Sequence, residues 1–163
     1  MFRRSVSLLL FLSLLFLFGC SEQRSFSHAE LTLTLTDDFT EVESEGYDLA
    51  LRSDKVSVGV IRISLAAAEN SGIPDTMSPE DFALYTLKEK RGEGACDVYS
   101  YKDIPYFTLY EAVGGREYYT LYTFFRSVHA YFILTLAVPR ADEAEYRETL
   151  FEYADSVIFT PLS

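Results

Sequence analysis

Aromatic residues with polar tips recur through the C-terminal half of the chain. Tyr106 and Tyr110 lie four apart in one apolar run, Tyr118 and Tyr122 four apart in the next, and Tyr131 stands beside His129 in a third. Even spacing puts each pair on one face of a strand. A tyrosine offers an apolar ring and a hydroxyl, a combination enriched at interfaces. Such rings on an open sheet face would hold a sugar, a peptide or a partner helix. Packed beneath helices, they would be core. The acids are a second group: Asp37, Asp38, Glu41, Glu43 and Glu45 cluster in sequence. They lack EF-hand spacing, and the run reads as a solvated acidic loop. The histidines are His28 and His129, with no HExxH, CxxC or close His pair to hold zinc. There is no G-x-S-x-G elbow, phosphate loop or dinucleotide glycine pattern. No catalytic residue, metal ligand or cofactor is assigned.

The most specific signal lies at the N-terminus. Arg3 and Arg4 precede an apolar run from Val6 to Phe18, and Gly19 leads into Cys20. The run has about 13 residues, short of the roughly 20 that span a bilayer core. This resembles the signal peptide and lipobox of a bacterial lipoprotein, with Phe18 where a small or branched residue is usual. The resemblance implies cleavage before Cys20, lipid on its thiol and an extracytoplasmic location on the cell membrane. It makes residues 1–19 a leader, 20–30 a polar tether and 31–163 a single domain.

The chain has 163 residues and a net charge of −11. Loss of Arg3 and Arg4 with the leader makes it more acidic still. That balance argues against nucleic acid as a partner and against electrostatic docking on anionic lipid; it suits a soluble domain held off a membrane, or a basic partner. With Cys20 committed to lipid, Cys96 has no internal disulfide partner. It reads as a small apolar residue at a strand start.

Periodicity gives the strands and helices that carry these residues. Leu31–Thr36 alternates strictly, as a half-buried strand does. Two further strands are expected at Tyr47–Arg52 and Lys55–Ser64, joined as a hairpin. The second has Val56, Val58 and Val60 on one face and Ile61 and Ile63 on the other. A loop covers Asn70–Thr76. Ser78-Pro79-Glu80-Asp81 starts a helix that runs to Arg91 and stops at Gly92. One strand begins at Asp97–Tyr101 and continues over Tyr106–Val113. Gly114-Gly115 turns it into a second, Arg116–Phe125, and Val128–Val138 forms the third. That strand is apolar on both faces, so both should be covered. Asp142-x-x-Glu145 reads as a capping box, opening a helix striped by Tyr146, Leu150, Tyr153, Ala154 and Val157. Ser156–Phe159 closes the chain as a turn or short strand.

This order is similar to the PsbP-like fold, shared by the photosystem II extrinsic subunit, the DcrB lipoproteins and a Ran-binding import factor. The resemblance rests on Leu31–Thr34 with Asp38-Phe39, the Ser78-Pro79 helix start, the Tyr118–Val138 hairpin and Ser156–Phe159. It implies an α+β class, with helices on an antiparallel sheet in an α/β/α sandwich, and a role in binding partners. The expected function is a non-enzymatic envelope module that binds a protein or ligand, with Tyr106, Tyr110, Tyr118, Tyr122 and Tyr131 as the contact set. A hydrolase using cleft carboxylates and a structural envelope component are the alternatives.

Overall fold

The computed structural model describes residues 22–91 and 97–160. The expected leader, Cys20, the expected helix stop at Gly92, and Cys96 lie outside the described residues. Ten strands are described: β1 (Gln23–His28), β2 (Leu31–Thr36), β3 (Thr40–Glu41), β4 (Leu49–Arg52), β5 (Ser57–Ser64), β6 (Tyr99–Tyr101), β7 (Ile104–Val113), β8 (Arg116–Arg126), β9 (Ala130–Pro139) and β10 (Ile158–Phe159). The helices are α1 (Leu65–Asn70), α2 (Pro79–Arg91) and α3 (Glu143–Asp155), the last preceded by a 3-10 turn at Arg140–Asp142.

Seven strands form the main antiparallel sheet, in the order β3-β4-β5-β9-β8-β7-β6. β9 lies at its centre, and both its faces are covered as its composition demands. Ala130, Phe132, Leu134, Leu136 and Val138 face one core with Val56, Val58 and Val60. Over this core lie α3, through Leu150 and Ala154, and a three-stranded sheet, β1-β2-β10, through Phe26, Leu31, Leu33 and Leu35. Tyr131 and Ile133 face the second core, which α2 closes with Phe82, Ala83 and Leu87. The layers are those of an α/β/α sandwich, with a small sheet sharing one outer layer.

The caps and turns follow local chemistry. The Ser78 hydroxyl accepts from the Asp81 backbone N–H at 3.0 Å, as an N-cap should. Gly114 and Gly115 both take positive φ, 58° and 80°, which suits a two-residue hairpin turn.

Several expectations are corrected. Most of the expected tether is β1, paired with β2 from Gln23↔Thr36 to His28↔Leu31. Of its side chains Phe26 alone is buried, so it carries no alternation. The expected loop after β5 is preceded by α1, capped by Ser64. The run from Asp97 to Val113 is broken into a hairpin, because Lys102 and Asp103 adopt φ of 47° and 66°. Asp142 makes no side-chain cap bond; its carboxylate pairs with Lys55 instead, at 3.1 Å. Val128 lies in the turn before β9 and is exposed.

Candidate functional site

Among the described residues, α2 covers only part of its sheet face. Its last turn ends over β7 and β8, where Lys90 Nζ lies 3.7 Å from Glu111 Oε1. Beyond it the register lays small side chains in rows. One row runs Ala50, Gly59, Thr135 across β4, β5 and β9, and ends at Tyr122 on β8. The next runs Arg52, Ser57, Ala137 and Thr120. A floor of small residues beside large aromatic ones makes a hollow of about 450 Å3, walled by Tyr47, Tyr118, Tyr122 and Val113.

The roof is the β3–β4 connection. Val42 N–H donates to Ala50 C=O at 2.9 Å, which returns the chain over the sheet. Tyr47 then lays its ring on Gly59. A Cβ at position 59 would collide with Tyr47 Cδ1 and Cε1 and with Thr135 Oγ1. This is the close approach that a glycine inside a strand often marks. Thr135 Oγ1 donates to the Gly59 carbonyl at 3.2 Å, so the floor is hydrogen-bonded as well as flat.

The polar groups at the inner end are engaged with each other. The Tyr122 hydroxyl donates to Glu111 Oε2 at 2.7 Å. Its ring stacks on Phe107 at 4.9 Å and lies 4.5 Å from Lys90 Nζ. Burial, and then the bonded Glu111 carboxylate, push the Tyr122 pKa strongly up, so the hydroxyl stays protonated and donating.

The five expected contact tyrosines do not form one surface. Tyr118 and Tyr122 belong to the groove. Tyr131 shares their sheet face but is fully buried beneath α2, its hydroxyl directed at the carbonyls of Pro74 and Met77, 2.8 and 2.9 Å away. Tyr106 and Tyr110 project from the opposite face. Tyr106 packs edge-on against Phe151 of α3, and Tyr110 donates to Glu143 Oε2 at 2.9 Å. His129 is exposed in the β8–β9 turn. Among the described residues no three His, Cys, Asp or Glu side chains come together as a metal cluster would, and no helix is long and apolar enough to cross a membrane.

Sequence reasoning missed Tyr47, Gly59, Thr135 and Ala137. Gly59, inside the Lys55–Ser64 strand pattern, was the legible signal.

A second polar cluster bolts the layers together. Glu30, in the β1–β2 turn, is 2 % exposed. It accepts from Ser127 Oγ at 2.7 Å and from Arg62 Nε at 3.1 Å. Burial alone would raise its pKa, but the hydrogen bonds from Ser127, its own N–H and Arg62 outweigh it. The net direction is down. This carboxylate is held ionised for structure.

No family model and no curated protein matches the chain. Solved structures do. A cyanobacterial PsbP, CyanoP of Synechocystis sp., superposes with a TM-score of 0.54 at 13% identity, over 88% of this chain and 95% of that one. A Bacteroides thetaiotaomicron protein gives 0.58 at 10% identity; the match covers 85% of this chain but 48% of that one. LpqN of Mycobacterium tuberculosis, described as involved in cell envelope biogenesis, gives 0.50 at 11% identity over 86% and 91%. At such identities the likeness carries the fold, and the fold of this chain is PsbP-like.

Proposed function

We propose that the chain is a lipid-anchored, non-catalytic module on the extracytoplasmic face of the membrane, and that it binds a protein or small ligand in the groove beside α2. The observation that carries this is the floor built from Ala50, Gly59, Thr135 and Ala137 beneath Tyr47 and Tyr118. A flat floor between aromatic walls suits an extended or planar guest. The strongest polar groups there are engaged with one another, which suits recognition better than proton transfer. The fold likeness to LpqN, a protein of envelope biogenesis, supports an envelope setting. The lipobox resemblance at Cys20 supports the anchor.

The test fills the floor. Ala137 is half-buried and lines the groove without belonging to either core. Ala137→Phe abolishes capture of the envelope partner from intact cells while the domain still melts cooperatively. Tyr110→Ala, on the opposite face, leaves capture unchanged. Equal capture by wild type and Ala137→Phe would sink the groove as the binding site. For the anchor, Cys20→Ala leaves an unprocessed precursor; cleavage to the wild-type mass would remove that part of the proposal.

A further inference from the structure

We propose that one pole of the domain rests on the bilayer, and that the groove opens toward it. This rests on the anchored reading of Cys20. The first described residue, Glu22, is already pinned: its carbonyl accepts from Asp37 N–H at 2.9 Å. Only Ser21 lies between it and Cys20, so their Cα atoms are at most about 7 Å apart. The end of the domain that holds Glu22 therefore cannot stand off the membrane.

Contacts identify what shares that end. Thr36–Asp38 adjoin Ser53–Val56, the β4–β5 turn, around one hollow. Lys55 of that turn pairs with Asp142 at 3.1 Å, and Arg140 pairs with Glu117 on β8 at 2.8 Å. The β7–β8 tip, Val113-Gly114-Gly115-Arg116, therefore projects from the same pole. β9 stops at Pro139 opposite Tyr118, and β7 and β8 continue past it to the turn. The overhang is roughly 10 Å. Its apolar residue, Val113, is 65 % exposed.

The groove runs the same way. Its inner end is closed by Tyr122, Glu111 and the end of α2. Its outer end is lined by Arg52, Ser57, Ala137, Tyr118 and Val113, on the strand ends that form this pole. A guest enters from the membrane side. Asp37, Asp38 and Asp54 are matched at this pole by Arg52, Lys55 and Arg116, so it has no strong charge preference for anionic lipid. The contact is set by the short tether and the apolar tip.

The chain has no tryptophan, so a single one reports its own surroundings. Val113→Trp places it at the proposed membrane pole. Val128→Trp places it in the 79 % exposed β8–β9 turn, at the far end of β8 and roughly 35 Å away. The mature chain is reconstituted in phosphatidylcholine vesicles carrying a headgroup nitroxide. Flotation reports the anchor, and quenching reports the pole. The expected result is quenching at least about twofold stronger at 113 than at 128, because contact quenching fades over far less than the separation of the poles. Arg116→Trp, also on the tip, serves as a second reporter. Equal quenching at both ends, or stronger quenching at 128, would overturn the orientation. A chain that fails to float refutes the anchor, not the pole. The pole is then read from a Cys96→Ser chain coupled through Cys20 to a maleimide lipid.

Discussion

Replacing Glu30 tests how the small sheet is fixed to the large one. Its carboxylate joins the β1–β2 turn to Arg62 on β5 and to Ser127 in the β8–β9 turn, and its backbone carbonyl accepts from Thr160 N–H at 2.8 Å. Glu30→Ala leaves the Ser127 hydroxyl and the Arg62 guanidinium without this acceptor. Breaking a fully buried ion pair costs about 3–5 kcal/mol. Arg62 keeps 25 % of its side-chain surface exposed, so water recovers part of that. About 2–3 kcal/mol remains, a fall in Tm of roughly 6–12 °C for a domain of this size. Glu30→Gln keeps shape and one acceptor, and costs about 1–2 kcal/mol. The sign with pH follows from the lowered pKa. Between the folded value and the ordinary 4.5, the unfolded chain binds more protons, so stability rises with pH there. The contribution is full above about pH 4.5 and is lost as pH falls through the folded value. Urea unfolding from pH 7 to 3 should show the wild type losing its advantage over Glu30→Gln across that window. A cycle with Arg62→Leu should return coupling of about 1 kcal/mol or more. A cost below about 0.5 kcal/mol for Glu30→Ala, or an advantage independent of pH, would refute the bolt.

Three smaller predictions concern single contacts. The Tyr119 hydroxyl is buried and has no hydrogen-bond partner among the described residues; Tyr119→Phe should be neutral or stabilise by up to about 1 kcal/mol in thermal unfolding. Ala29 sits at φ 50° in the β1–β2 turn, and Ala29→Gly should relieve strain and gain up to about 1 kcal/mol in urea unfolding. Gly59→Ala should push Tyr47 off the sheet, visible as a changed Tyr47 ring environment by NMR. Its net cost should be near 1 kcal/mol, because lost contacts are partly offset by the better strand propensity of alanine.

Where one strand buried two faces, the sequence made the layers legible. The opposed runs of Val56, Val58, Val60 and Ile61, Ile63 fall on the two cores, as their alternation requires. β1 was not legible because five of its six side chains are not buried, leaving no period to read. The β6–β7 hairpin was hidden because Lys102 and Asp103, not glycine, supply its positive φ. Spacing correctly paired Tyr106 with Tyr110 and Tyr118 with Tyr122, but it is silent on register. The alignment Phe107↔Tyr122 sends those two pairs to opposite faces of the sheet. The groove depends on the register that aligns Ala50, Gly59 and Thr135 and on Tyr47 returning over Gly59. Both are long-range facts, and only the glycine hinted at them.

A photo-crosslinking amino acid at position 137, on the floor of the groove, reports whether a partner occupies it. Illuminated in intact cells, the chain labelled there should give one discrete adduct that competes away with excess unlabelled domain. The same label at position 110, on the other face, should give none. No adduct at 137, or the same adduct from both positions, would rule the groove out as the binding site.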